Sequence, residues 1–96
     1  MNQIERIAYM ENILNEAGAA AAALSEALDR WAAVRERLAE LEAYYSGGEW
    51  MRDFDDDSAG KIPKDLRRGV LSEDAVYDLL TDRDELLRRM KELGRD

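Results

Sequence analysis

The feature that most constrains this chain is an uninterrupted run of 44 residues, Asn2 to Tyr45, with no proline and only one glycine. Apolar residues recur in this run at helical spacing, so we predict one long helix. At about 1.5 Å per residue the helix would reach roughly 66 Å, whereas an average helix has about 11–12 residues. We expect a helix this long to lie along something: the rest of the chain, a second copy or another protein.

The apolar residues of the run follow the alternating three- and four-residue steps of a heptad seam. They are Ile7, Met10, Leu14, Ala17, Ala21, Leu24, Leu28 and Trp31. A repeated three-residue step from Trp31 to Val34 then shifts the stripe around the helix. Between Ala17 and Ala23 every residue except Gly18 is alanine. Three readings stay open for this stretch: a soluble helix-favouring segment, a close crossing point for another helix, or a break at Gly18 that gives three helices.

The residues after the run predict a connection and then a second, shorter helix. Glycines 47 and 48 follow Ser46 and are typical of a helix C-terminus. In the connection, residues 46–71, we expect a helical turn at Glu49–Phe54, a polar loop at Asp55–Gly60 and a short helix at Pro63–Arg68. Its apolar residues should fold back onto the helices, since a structureless loop of this length is unusual inside a domain. They are Trp50, Phe54, Ile62, Leu66, Val70 and Leu71.

The last helix is expected at residues 73–93, with Ser72 as its N-cap and Gly94 as its stop. Its apolar face would be Val76, Leu79, Leu80, Leu86, Leu87, Met90 and Leu93. The predicted fold is therefore all-α, a single domain over residues 1–96. The long N-terminal helix packs against the shorter C-terminal helix as a helical hairpin or bundle, with one or two short helices in the connection. Because the second helix is half as long as the first, the remaining stripe is covered by the connection or by a second copy, and we favour a homodimer.

Composition excludes several classes of function. The chain has no cysteine and no histidine, which removes thiol nucleophiles, thiolate metal sites and the commonest general base. Its net charge of −8 disfavours binding to nucleic acid or to an anionic membrane. No segment has the apolar length of a transmembrane helix, and the amphipathic N-terminus does not resemble a signal peptide. We expect a cytoplasmic protein that is not an enzyme and uses no cofactor.

Three polar or aromatic clusters are candidates for a site. The aspartates Asp53, Asp55, Asp56 and Asp57 resemble a calcium loop, but neither possible frame places an acidic residue at position twelve. A solvated acidic loop is the simpler interpretation, with weak divalent-cation binding as an alternative. The basic residues Lys61, Lys64, Arg67 and Arg68 follow at once and are expected to pair with nearby acids. Tyr44, Tyr45 and Trp50 flank the glycine pair and predict a small core at the bend, or a contact point for a partner.

The middle and end of the chain resemble a family of small bacterial proteins, domain of unknown function 4298. The resemblance is carried by the segments Tyr44–Trp50, Asp53–Gly60, Pro63–Leu66 and Gly69–Leu80, and by the N-terminal helix at Ile4–Glu11. It implies a compact helical domain and brings no activity, substrate or cofactor. If the motif residues act together, it directs attention to Trp50, Asp65 and the turn at Gly69–Asp74.

Three hypotheses on function follow from these observations, and the third, which the absence of histidine disfavours, is a metal-dependent hydrolase that uses the aspartates. The first is a helical protein–protein interaction or structural module that forms a homodimer or binds an unknown protein. The second is an acidic regulator or inhibitor that mimics nucleic acid. The residues proposed for interaction are Ile7, Met10, Leu14, Leu24, Tyr44, Tyr45, Trp50, Asp53, Asp55, Asp57, Arg67 and Arg68.

Overall fold

A computed structural model describes residues 1–95 of the chain. Three α-helices and one short 3-10 helix follow each other: α1 at Gln3–Ser46, α2 at Glu49–Ser58, the 3-10 helix at Gly69–Leu71 and α3 at Ala75–Leu93. The described residues contain no β-strand. The all-α class is therefore confirmed, as are the long N-terminal helix, the shorter C-terminal helix and the two short helices between them.

The long helix α1 begins and ends where local chemistry favours it. Asn2 caps the N-terminus, because its Oδ1 accepts a hydrogen bond from the Glu5 backbone N–H at 2.8 Å. At the other end, a Cβ on residue 47 would lie 2.8 Å from the Ala43 carbonyl oxygen, so only glycine fits there. Gly48 follows with a φ of +92°, in the left-handed region that glycine adopts without strain. The glycine pair thus reverses the chain and starts α2.

Helix α2 is longer than the sequence predicted. The expected helical turn at Glu49–Phe54 is present, but the polar loop expected from Asp55 is wrong for Asp55–Ser58, which are helical. Aspartate disfavours helix interiors, yet two pairs of residues four apart hold the element. Trp50 and Phe54 stack on each other, and Asp53 and Asp57 both bond to side chains outside α2.

The short helix predicted at Pro63–Arg68 is also wrong. Pro63 and Leu66 form only a turn, in which the Leu66 N–H donates to the Pro63 carbonyl at 3.2 Å. The segment has no apolar side chain that is buried, and Leu66 is exposed. The second short helix of the connection lies further on, at Gly69–Leu71, where Leu71 is buried.

Helix α3 begins two residues later than expected, at Ala75, and ends at Leu93 as expected. The Ser72 hydroxyl still accepts a hydrogen bond from the Ala75 N–H, at 3.2 Å. Of the predicted apolar face, Val76 is buried and Leu80 half-buried. The other members, Leu79, Leu86, Leu87, Met90 and Leu93, are exposed.

The chain divides into two compact units, Met1–Glu36 and Arg37–Asp96. Residues 1–36 contain no buried side chain, and only Trp31 is half-buried. The second unit has a small core made of Leu38, Trp50, Leu71 and Val76, one from each helical element. In this unit the end of α1 contacts α3 through an ion pair between Glu42 and Arg83. Among the described residues, no helix is both long and apolar enough to cross a membrane.

Candidate functional site

The N-terminal unit presents an apolar face made of seam residues. Ile7, Met10, Leu14 and Leu24, all proposed for interaction from the sequence, are 54–65% exposed. Leu28, the remaining large aliphatic seam residue of this unit, is 43% exposed. Large exposed apolar surface is uncommon in monomers and is typical of contact surfaces. We call these five residues the seam face: Ile7, Met10, Leu14, Leu24 and Leu28.

The alanine stretch in the middle of the seam face is continuous helix. The alternative of a break at Gly18 is wrong, since α1 runs through it without interruption. A Cβ placed on Gly18 would meet no atom within 4 Å. Glycine weakens a helix relative to alanine by about 1 kcal/mol. No contact within the described chain therefore requires the glycine at this position.

The aromatic cluster at the bend belongs to the second unit. Tyr45 meets Trp50 edge to face, and Trp50 stacks on Phe54, with both pairs of ring centroids 5.1 Å apart. Trp50 is buried, and its indole Nε1 donates a hydrogen bond to the Val70 carbonyl at 2.8 Å. The cluster therefore joins α1, α2 and the 3-10 helix, as expected for a small core that fixes the turn.

Tyr44 of α1 and Asp53 of α2 are joined by a hydrogen bond between their side chains. The Tyr44 hydroxyl donates to Asp53 Oδ2 at 2.6 Å. This hydrogen bond, followed by partial burial and the nearby charges of Asp53 and Glu49, raises the pKa of Tyr44 to about 12. The phenol is thereby kept protonated and acts as a structural donor.

Two of the four residues of the basic cluster, Lys61 and Arg68, pair with the acidic cluster. Arg68 donates to Asp57 Oδ1 at 2.6 Å, and its guanidinium also lies 3.5 Å from the Ile62 carbonyl. Lys61 lies 3.9 Å from Asp56, with both side chains more than half exposed. These contacts tie residues 61–68, which follow α2, back to that helix.

The aspartates do not form a metal centre among the described residues. They lie along one helix, and the described residues include no group of three or more acidic side chains that could hold a metal ion. Asp53 and Asp57 bond to Tyr44 and Arg68 instead. The comparison with a calcium loop therefore has no geometric counterpart.

One polar cluster, formed by Arg83, Glu42 and Asp84, was not predicted from the sequence. Arg83 pairs with Glu42 of α1 and donates through Nε to Asp84 at 3.0 Å. The hydrogen bond with Glu42 is the main cause that raises the pKa of Arg83. A signal was present, because Arg83 interrupts the apolar spacing that runs from Val76 through Leu80. A charged residue at such a position is half-buried and needs a partner.

The structure thus brings together only part of the proposed set of residues. Tyr44, Tyr45, Trp50 and Asp53 meet at the bend, and Asp57 meets Arg68. Asp55 and Arg67 are exposed and make no side-chain bond to another described residue. The four seam residues lie along a separate unit, Met1–Glu36.

The sequence was also compared with known proteins. The model of the family described as Domain of unknown function (DUF4298) matches residues 7–93, which include all of α2 and α3 and all but the first residues of α1. Neither the curated proteins nor the solved structures contain a match to the chain.

Proposed function

We propose that this chain, which belongs to the family described as Domain of unknown function (DUF4298), is a non-catalytic interaction module that forms a homodimer through the seam face. The observation that supports the proposal is the exposure of every large apolar seam residue from Ile7 to Leu28. Exposure of apolar side chains to water is unfavourable, so association that covers them is favourable.

The seam face has the size of a small interface. Complete burial of one Leu, Ile or Met side chain removes roughly 60–120 Å² of apolar surface. Five such residues on each of two copies would cover on the order of 600–1,200 Å², which is at the low end for specific protein–protein interfaces. The alanines between them add little area, but they let two helices approach closely.

The alternative of an acidic mimic of nucleic acid has less support. A mimic needs carboxylates that are free to meet a basic partner. Asp53, Asp56 and Asp57 instead contact Tyr44, Lys61 and Arg68 of their own chain. Weak cation binding at the aspartates also has less support, because these residues are part of a helix and contact other residues of their own chain.

The proposal includes no catalytic role, no nucleic-acid partner and no membrane partner, and it keeps the cytoplasmic location. It is supported by the absence of histidine and cysteine from the sequence and by the net charge of −8. Tyr44 has a pKa near 12, which makes it a poor acid–base group at neutral pH.

The experiment compares two neighbouring substitutions, Met10→Glu and Tyr9→Glu. Both residues are about half exposed, at 54% and 51%, but only Met10 is in the seam. Masses from light scattering over a concentration series give the dissociation constant of each variant. Met10→Glu should weaken the dimer more than tenfold, because each copy would bury a carboxylate, whereas Tyr9→Glu should change it less than threefold.

Circular dichroism would check that both variants keep their helix content, since each replaces an exposed side chain. Equal effects of the two substitutions would contradict the seam as the interface. A monomeric wild-type protein at every concentration would contradict self-association itself.

A further inference from the structure

We propose that the two copies pair antiparallel along residues 7–31 of α1, crossing at Ala19. This inference rests on the self-association proposed above and adds the direction and register of the pair. It is argued from three features of the chain: the spacing of bulky seam residues, the open space at Gly18 and the distribution of charge.

The seam is symmetric about residue 19. In antiparallel coiled coils, each residue of the seam meets a residue at the mirror position of the partner helix. Mirror positions about residue 19 match bulky residues with bulky ones and small with small. The pairs are Ile7 with Trp31, Met10 with Leu28, Leu14 with Leu24, and Ala17 with Ala21. This register uses all eight positions of the seam and leaves none of them without a partner.

Gly18 gains a role at the crossing point. In this register Gly18 and Ala20 lie beside the seam, on either side of the two-fold axis. Each of them lies next to the same residue of the partner helix. A side chain on residue 18 has free space within its own chain, yet the residue is glycine. A second helix backbone at this point would use the missing side chain for close approach.

Charge favours the antiparallel direction over the parallel one. Residues 37–96 include 11 basic and 16 acidic residues, a net charge of −5. A parallel pair would place the two copies of Arg37, where these acidic segments begin, side by side. The two acidic segments would then repel each other, because charges separated by no more than the Debye length of about 8 Å are only partly screened by salt. An antiparallel pair puts the two Arg37 residues about 54 Å apart along the axis.

The parallel direction has one advantage, but it is small. It would place Arg6 of each copy near Glu11 of the other. Exposed pairs of this kind contribute little to association. It would also set Trp31 against Trp31 in one layer, whereas the antiparallel register sets Trp31 against the smaller Ile7.

The experiment uses spin labels on single cysteines, because the natural chain has none. The substitutions are Ala33→Cys and Ala19→Cys. Both alanines are exposed and lie on the side of α1 opposite the seam, two heptads apart. Pulsed electron–electron double resonance measures the distance between the two labels of a dimer. Antiparallel pairing predicts about 45 Å at residue 33 and about 20 Å at residue 19.

The two labels separate failure of the orientation from failure of the dimer. Distances near 20 Å at both positions would mean a parallel dimer, which overturns this inference and keeps the proposed function. The absence of a measurable distance at residue 19, together with a monomer mass, would overturn both. A long distance at residue 33 with a short one at residue 19 is the supporting result.

Discussion

The indole Nε1 of Trp50 donates a hydrogen bond to the backbone carbonyl of Val70 at 2.8 Å. This bond links the first turn of α2 to the 3-10 helix, across the intervening residues 59–68. Trp50 is buried and also contacts Tyr45 and Phe54. One side chain thus brings together three elements that are separate in the sequence.

Replacement of Trp50 by phenylalanine should lower the free energy of unfolding by about 2 kcal/mol, because the core loses volume and the Val70 carbonyl loses its donor. Chemical denaturation followed by circular dichroism measures the change. Met51→Ala on the same helix is the control, since Met51 is exposed and should change stability by less than about 0.5 kcal/mol. An equal loss of unfolding free energy in both variants would contradict this structural role of Trp50.

The Tyr44–Asp53 bond predicts a pH dependence above pH 10. Tyrosine has a pKa of 10.0 when unperturbed, and Tyr44 has one of about 12 in the folded chain. Because the folded pKa is the higher one, its stabilising contribution is complete below pH 10 and is lost as the pH rises to 12. Phenolate absorbance should show one late-titrating tyrosine, which disappears in Tyr44→Phe. Loss of the late step in the exposed Tyr77→Phe instead would contradict the assignment.

The Arg68–Asp57 pair should stabilise the connection measurably. Its side chains are 30% and 26% exposed, so solvent screens the pair only in part. Arg68→Met and Asp57→Asn in a double-mutant cycle should give a coupling of about 1 kcal/mol. The more exposed Lys61–Asp56 pair, at 3.9 Å, is the comparison and should give less than about 0.5 kcal/mol. Similar coupling energies for both pairs would argue against a special role of Arg68.

Gly48→Ala should destabilise the fold by about 1–2 kcal/mol, because alanine is strained at a φ of +92°. Gly69→Ala is the matched control. Gly69 has no positive φ, and a Cβ there would meet no atom within 4 Å. Thermal unfolding should therefore show a lower midpoint for the first variant and little change for the second. An equal midpoint for both would show that the turn tolerates another backbone conformation.

The sequence predicted those features that depend on local spacing. The heptad steps and the absence of proline indicated α1, and the glycine pair indicated where it ends. The errors lie where contacts distant in sequence decide the structure. Asp55–Ser58 read as loop from their polarity, but they are helical, and Asp57 bonds to Arg68, 11 residues further along the chain. Pro63 had a suitable position for a helix, but no apolar side chain after it becomes buried before Leu71.

The candidate site also has one part that could be predicted from the sequence and one part that could not. The exposed seam residues could be recognised from spacing alone, because no other part of the chain had a matching stripe of that length. The Trp50–Val70 bond could not, since its acceptor is a backbone carbonyl that any residue type supplies. The partner of Arg83 was also hidden, because Glu42 is one of several acidic residues in the last turns of α1.

The most direct test of the proposed homodimer is the absolute mass of the wild-type protein in solution, measured by light scattering over a concentration series at low and moderate salt. We expect a mass of twice 11.0 kDa that persists as salt rises, because screening weakens the repulsion between acidic copies and leaves apolar contacts intact. A mass of 11.0 kDa at every concentration and salt would contradict the homodimer.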